Sequence, residues 1–305
     1  MVGVAPGESS SREALGAART SVLVASALGG LKILAALFTG SLAIASSFVD
    51  SLMDVFASSV NLVAVRIGGT PADEEHRYGH GKAESLAGMF QGAVVGFSGV
   101  FLVVESVRRL VSGGTVAYPG WGIAVMVVSS VVSVWITWRL RRAAKQTGSV
   151  ALRADATHYS TDVWMNVGVL ASLLAVRATG LHWIDAATGL GISLLVLWSS
   201  WSVIRASIDD LMDRDLGSSV EGAVRDAIAR EVPEARRITD LRTRRAGRMR
   251  FVDLTVAFDR DLPFADAHRL SERARAAVHA AVPGCEVQVH ADPHPILPDD
   301  HPTTA

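Results

Sequence analysis

Six apolar runs fill the first two thirds of the chain, and each is close to the length of a membrane-crossing helix. They cover about residues 18–38, 41–66, 84–107, 120–140, 150–177 and 184–206. About 20 apolar residues are enough to span the hydrocarbon layer of a bilayer. Hydrophobic residues make up 50% of the whole chain. The sequence therefore predicts a membrane all-α bundle of six transmembrane helices, embedded in the lipid bilayer.

Positive charges are concentrated in two of the joints between these runs. The joints between runs two and three and between runs four and five carry Arg66, Arg77, Lys82, Arg139, Arg141, Arg142, Lys145 and Arg153. Arg108 and Arg109 fall on the other side and are outnumbered. Because an excess of Lys and Arg marks the cytoplasmic side, we expect a multi-pass protein of the cell (inner) membrane with both termini in the cytoplasm.

The composition changes after Ile208, where the segment DDLMDRD opens a more charged region. The spacing of apolar residues predicts a helix, two strands joined by a hairpin, a second helix and a third strand, at about residues 220–232, 238–243, 249–258, 263–281 and 286–290. This order predicts a small α+β domain, αββαβ, on the cytoplasmic side.

Four segments follow from this division of the chain. We expect a disordered N-terminus at residues 1–15, the six-helix transmembrane domain at 16–208, the cytoplasmic αββαβ domain at 209–297 and a loose tail at 298–305. The formal net charge is −1, which gives no support to nucleic-acid binding.

Two carboxylates, Asp50 and Asp54, interrupt the second apolar run near its middle. A spacing of four places them on one helical face, where each charge costs at least ~2.5 kcal/mol on insertion scales. The fifth run repeats the spacing with His158 and Asp162. Two helices that each offer such a pair can supply four ligands to one ion, which is the coordination number that Zn²⁺ prefers.

A structural ion pair is the simpler alternative. Lys32 lies inside the first apolar run and could neutralise Asp50 or Asp54. One lysine balances only one carboxylate, however, and ion pairing does not require His158 in step with Asp162. The spacing therefore favours a metal site.

Three segments together resemble the cation diffusion facilitator family, and most closely its bacterial zinc/iron branch. They are TGSLAIASSFVDSLMD (39–54), PADEEHRYGHGKAESLA (71–87) and LRADATHYSTDVWMN (152–166). The likeness extends from about residue 15 to 297 and includes LRTR (241–244) and HADP (290–293). The resemblance implies six transmembrane helices, a metallochaperone-like cytoplasmic domain, and a homodimer that exchanges metal for protons.

Carried onto this chain, the family's motifs imply three metal sites. The transport site is Asp50, Asp54, His158 and Asp162; the loop site is Asp73, His76 and His80; the cytoplasmic-domain site is His268, His290 and Asp292. Two further cytoplasmic positions that are often His in the family are Thr239 and Thr255 here, so about one ion per chain is expected in that domain. Lys82 and Asp213 match positions that form a salt bridge at the family's dimer interface.

The implied activity is efflux of a divalent cation, with Zn²⁺ favoured and Cd²⁺ or Fe²⁺ also accepted. Imidazole suits borderline metals such as Zn²⁺, whereas an all-oxygen site suits Mn²⁺ or Mg²⁺. The carboxylates must be ionised and the imidazole neutral to bind a metal, so protons compete for the same groups. Alternating exposure of one tetrahedral site to the two sides of the membrane then produces proton antiport.

Three alternative functions use the same ligands. A membrane-embedded metalloenzyme would need an open zinc position, and neither HExxH nor GxSxG occurs in the chain. A metal sensor has no need of ligands in the middle of the membrane. The third alternative is the same transporter with Fe²⁺ or Mn²⁺ as the physiological ion. We therefore expect a transporter and no enzyme.

Overall fold

The computed structural model describes residues 8–39, 42–112, 120–181 and 183–294, with side chains for the same ranges apart from 8–9, 32–39, 42–51, 120–126 and 173. In these residues six long helices precede a small αββαβ domain, which confirms the predicted fold class. The helices are α1 (Glu8–Thr39), α2 (Leu42–Gly68), α3 (Lys82–Ser112), α4 (Gly120–Thr147), α5 (Val150–Thr179) and α6 (Trp183–Leu211). The predicted loose tail, 298–305, lies outside the described residues.

Four stretches among the described residues are long and apolar enough, by length and composition alone, to cross a membrane. They are Ser10–Leu31, Lys82–Ser112, Val150–Thr179 and Trp183–Leu211. They belong to α1, α3, α5 and α6, in agreement with the apolar runs seen in the sequence.

Helix α1 begins earlier than the sequence suggested. The prediction of a disordered segment through residue 15 is wrong for residues 8–15, which form the first turns of α1. The reason is packing: Ala14, Ala17 and Ala18 are buried against α2, α4 and α5. Such small side chains allow helices to approach closely, so a stretch that is not very hydrophobic still gains a packed face.

The six helices form two groups. Helices α1, α2, α4 and α5 pack together, and α3 packs along α6; α2 and α5 also contact α3, and α5 contacts α6, so the two groups share a wide boundary. On α3 the glycines Gly88, Gly92 and Gly96 recur at every fourth residue and face α6, where Ser200 donates a 2.7 Å hydrogen bond to the carbonyl of Gly92. This is the small-residue spacing that lets membrane helices pack backbone against backbone.

The joint between α4 and α5 is a short turn with well-defined ends. Gly148 adopts φ 72° after α4. The side chain of Ser149 then accepts a 3.2 Å hydrogen bond from the backbone N–H of Leu152 and so caps α5. An N-cap serine of this kind satisfies one of the free donors at a helix start, and it fixes where α5 begins.

The cytoplasmic domain contains α7 (Ser218–Glu231), β1 (Arg237–Ala246), β2 (Met249–Asp259), α8 (Phe264–Ala281) and β3 (Cys285–His294). The sheet order is β1-β2-β3, with β1 antiparallel and β3 parallel to β2. A parallel neighbour requires a crossover, which α8 provides. The core lies between the helices and the sheet, where Ile228, Val252, Val256, Val278 and Cys285 are buried.

The hairpin between β1 and β2 ends in the two-residue turn Gly247–Arg248, because Ala246 pairs with Met249. Gly247 has φ 61°, a conformation that a two-residue hairpin turn with glycine first requires. This tip lies against Gly81, directly before α3: a Cβ on Gly81 would fall well inside contact distance of the carbonyl oxygen of Ala246. The two domains therefore meet backbone to backbone at this point.

We expect Gly81→Ala to lower the melting temperature of the full-length protein in detergent. The added methyl group meets backbone that cannot rotate away, and overpacking of this kind costs about 1–3 kcal/mol. Gly222→Ala in α7 is the matched control because nothing lies within 4 Å of the position; it should be stabilising by up to about 1 kcal/mol. Equal melting temperatures for the two variants would contradict the close approach.

Candidate metal sites and the family

Helices α2 and α5 bring three of the four predicted transport-site residues together. The Nε2 atom of His158 lies 3.1 Å from Oδ1 of Asp54 and 4.0 Å from Oδ2 of Asp162. Ligands of a tetrahedral Zn²⁺ with bonds of 2.0–2.2 Å are separated by about 3.3 Å. One imidazole nitrogen thus faces two carboxylates at spacings close to those of a shared cation. The side chain of Asp50, on the same helix as Asp54, lies outside the described residues, as does that of Lys32.

This group is only partly shielded. The side chain of His158 is 11% exposed, while those of Asp54 and Asp162 are 30% and 29% exposed. The imidazole packs against Tyr159 in an edge-to-face arrangement, with 5.7 Å between the ring centroids. The carboxylates remain accessible for a substrate to enter.

A further carboxylate, Asp155, lies one turn before His158 on α5 and is fully buried. Ser58 of α2 donates to it at 3.4 Å, Ser21 of α1 donates to Ser58 at 3.2 Å, and the hydroxyl of Tyr159 donates to the carbonyl of Ser21 at 3.1 Å. The sequence reasoning did not single out Asp155. Asp155 could have been recognised in the sequence, because it is an acidic residue in an apolar run, three residues from the predicted ligand His158.

The loop between α2 and α3 brings all three predicted residues together. In the part of the chain that the structure describes, Asp73, His76 and His80 are the one group of three or more His, Cys, Asp or Glu with donor atoms all within 4.8 Å of one another. His80 Nε2 lies 3.3 Å and His76 Nδ1 3.6 Å from the carboxylate of Asp73. Two nitrogens and one carboxylate can hold a divalent cation with water completing the shell.

The loop is folded by Asp73 itself. Its Oδ1 accepts hydrogen bonds from the backbone N–H groups of His76 at 2.6 Å and Glu75 at 3.1 Å. The bond from His76 is the main reason that the pKa of Asp73 lies below its usual range, and the nearby His80 adds to the effect. The carboxylate is therefore ionised, and ready to bind a cation, throughout the neutral and mildly acidic range.

In the cytoplasmic domain the three predicted residues share a groove but are not equally close. His290 Nε2 lies 2.9 Å from Oδ1 of Asp292 on β3, and both line a groove of about 680 Å³ that His268 of α8 also lines. Among the described side chains this trio does not meet the 4.8 Å spacing of the loop group. Thr255 pairs with His290 in the sheet, and Thr239 lies at a bulge in β1.

Lys82 and Asp213 form a salt bridge of 3.0 Å within one chain. Arg244 contacts the same carboxylate at 3.3 Å. Partial burial raises the pKa of Asp213, but Lys82 and Arg244 outweigh this and hold it below its usual range. The pair fastens the start of α3 to the segment that follows α6.

Known families match both halves of the chain. A family described as "Cation efflux transmembrane domain" matches residues 18–212, and one described as "Cation efflux protein, cytoplasmic domain" matches residues 219–294. The chain belongs to the cation diffusion facilitator family. It is accordingly a multi-pass cation efflux transporter and not an enzyme, and its substrate is a divalent metal. The family matched by the cytoplasmic domain, ZT_dimer, supports a homodimer.

Two relatives that match over most of their length support this family assignment. The cation-efflux pump FieF of Cronobacter sakazakii is 38% identical over 92% of this chain and 93% of its own length. FieF of Serratia proteamaculans is 38% identical over 93% and 94%. Among solved structures, a MamM CTD variant in a cadmium form covers 25% of this chain and 95% of its own (26% identity, TM-score 0.24). CzrB in a zinc form covers 27% and 93% (31% identity, TM-score 0.25).

We expect the Asp73 turn to persist through mildly acidic pH and to open only below about pH 4. A lowered pKa in the folded loop means that the carboxylate contributes stability above its unfolded pKa, and that this contribution disappears as pH falls through the folded value. Hydrogen exchange of the loop against pH measures the midpoint. Asp73→Asn, which still offers an acceptor, should abolish this pH dependence, whereas Glu74→Gln should leave it unchanged.

Proposed function

We propose that this protein exports Zn²⁺, and also accepts Cd²⁺ or Fe²⁺, by proton-coupled antiport with alternating access of a site formed by Asp50, Asp54, His158 and Asp162. The observation that carries the proposal is the position of His158 Nε2, 3.1 and 4.0 Å from carboxylates of two helices. The family establishes the class of substrate; the nitrogen ligand favours Zn²⁺ over ions that prefer an all-oxygen site.

The same atoms explain why protons are the counter-ion. A neutral imidazole offers Nε2 to a metal, while a protonated one donates hydrogen bonds to the neighbouring carboxylates. Metal and proton therefore exclude each other at His158, since each needs the same nitrogen. Exposure of the site to one side and then the other couples efflux of the cation to entry of protons.

The two other candidate sites are accessory in this proposal. Asp73, His76 and His80 bind a second divalent ion in the loop, supported by their mutual approach within 4.8 Å. His290 and Asp292, with His268 across the groove, bind about one further ion per chain. The protein works as a homodimer in the inner membrane, with both termini in the cytoplasm.

Replacing Asp162 by Ala should abolish zinc flux while the dimer still assembles. The remaining ligands carry too little negative charge to compensate for stripping water from the ion. The measurement is Zn²⁺ uptake into inside-out vesicles, with a pH-sensitive dye in the lumen. The control is Asp226→Ala on the exposed side of α7, which removes one carboxylate far from the site.

The two signals separate the parts of the proposal. Zinc uptake at the parental rate in Asp162→Ala would exclude the transport site. Zinc uptake without a matching loss of lumenal protons would make the parent protein a uniporter. Loss of both signals in Asp162→Ala, with both retained in Asp226→Ala, supports the antiport at this site.

His158→Asp should weaken discrimination against Mn²⁺ while some flux remains. The change converts the site to oxygen ligands only, which suit Mn²⁺ better than Zn²⁺. Competition between the two ions in the same vesicles measures the preference. An unchanged preference would show that selectivity is set outside the ligands.

A further inference from the structure

Arg248, at the tip of the β1–β2 hairpin, extends from the cytoplasmic domain into the membrane domain. Its Nε lies 2.9 Å from Oε1 of Glu84 in the first turn of α3. The side chains are 1% and 0% exposed. The two residues are 164 positions apart in sequence, and their buried ion pair joins the two domains. Most other ion pairs of the cytoplasmic domain are at least partly exposed.

The pair reaches four helices. The guanidinium also contacts the carbonyl oxygen of Val65 on α2 at 3.4 Å and the hydroxyl of Ser11 on α1 at 3.5 Å. The other oxygen of Glu84 accepts a hydrogen bond from Ser149, the N-cap of α5. Arg248 and Glu84 together therefore connect the cytoplasmic ends of α1, α2, α3 and α5.

These helices belong to both groups of the membrane domain. Helices α2 and α5 carry the proposed transport ligands, whereas α3 packs along α6. The hairpin is fixed to the second group by its own contacts, since Arg245 lies 2.7 Å from Asp210 of α6 and the N–H of Gly247 donates to the same carboxylate at 3.2 Å. Arg248 is then the side chain that extends from this fixed tip across to the group that carries the ligands.

The energetics of a buried ion pair indicate that Arg248 and Glu84 fix the positions of the helix ends. Burial of two charges is costly, so such a pair contributes little net stability, yet removal of one partner leaves an unpaired buried charge and is strongly destabilising. The two charges lie 2.9 Å apart, and the carbonyl oxygen of Val65 on α2 and the hydroxyl of Ser149 on α5 contact the same pair, so that α2, α3 and α5 meet at their cytoplasmic ends. Separation of α2 and α5 from α3 removes the contacts of Val65 and Ser149 with this buried pair and leaves it with fewer polar partners.

We propose that Arg248 is a positioning residue that, paired with Glu84, holds the cytoplasmic ends of α2 and α5 closed against α3, and that the cytoplasmic entrance to the transport site opens when α2 and α5 leave this pair. The inference rests on alternating access, as proposed above. It assigns the hairpin tip a function: the cytoplasmic domain controls access to the site through one side chain.

Accessibility of a cysteine on the entrance side tests this directly. In the full-length protein with Cys285→Ala, Asn61→Cys places a thiol at a buried position of α2, between Asp54 and the cytoplasmic end. A membrane-impermeant maleimide is added to inside-out vesicles without metal. We expect Arg248→Met to raise the labelling rate several-fold. Arg242→Met, in the same hairpin with a side chain 78% exposed, is the matched control and should not change it.

A second variant separates positioning from folding. Arg248→Met combined with Glu84→Met removes both charges, a change that preserves stability where a single removal does not. We expect this double variant to melt close to the parent and still to label several-fold faster. Parental labelling in the folded double variant would overturn the proposal, whatever the single variant does.

The readout is independent of the transport site. Labelling is measured without metal, so it also applies in an Asp162→Ala background. Suppose that loss of Arg248 speeds labelling in that background while Asp162→Ala takes up zinc at the parental rate. This result would exclude the assigned transport ligands but support the positioning role of Arg248. Unchanged labelling on loss of Arg248, together with abolished zinc uptake in Asp162→Ala, would exclude the positioning role and support the transport ligands.

Discussion

A charged side chain inside an apolar helix bundle has to be matched by an opposite charge, a proton or a metal, and this requirement shapes both the middle and the cytoplasmic end of the membrane domain. An unmatched charge at this depth costs several kcal/mol. In the middle, the ring nitrogen of His158 lies 3.1 Å from Asp54 and 4.0 Å from Asp162. At the cytoplasmic end, Glu84 is matched by Arg248. In the proposed transport mechanism a metal or a proton replaces the first contact, whereas the second is internal to the chain.

Helices α2 and α5 connect the His158 group in the middle of the membrane domain to the Arg248–Glu84 pair at its cytoplasmic end. On α2, Asp54 and Val65 are 11 residues apart, about 16 Å along the helix at 1.5 Å per residue. On α5, Ser149 and His158 are about 14 Å apart by the same measure. A helix of this length moves as one body, so a shift of its cytoplasmic end also moves its ligand. The buried polar chain of Asp155, Ser58 and Ser21 lies between the two levels and ties α1, α2 and α5 together there.

Local patterns predicted what depends on neighbours in sequence. The six helices followed from apolar length, the αββαβ order from periodicity, and the approach of His158 to Asp54 from a spacing of four on each helix. The Arg248–Glu84 pair could not be predicted this way, because each residue alone resembles an ordinary charge near a membrane surface. The early start of α1 was missed for the same reason: alanines signal packing only when the partner helices are known.

The two salt bridges at the domain junction differ in the physics that governs them. Lys82 and Asp213 are 39% and 42% exposed, so water and salt screen the pair, and exposed pairs of this kind contribute about 0–1 kcal/mol. Arg248 and Glu84 are shielded from both. Raising the ionic strength therefore weakens the first contact and hardly affects the second. The exposed pair joins only the start of α3 to the segment after α6, whereas the buried pair also contacts α2 and α5. In the proposed alternating-access mechanism, the buried contact is therefore the better suited of the two to distinguish a closed state from an open one.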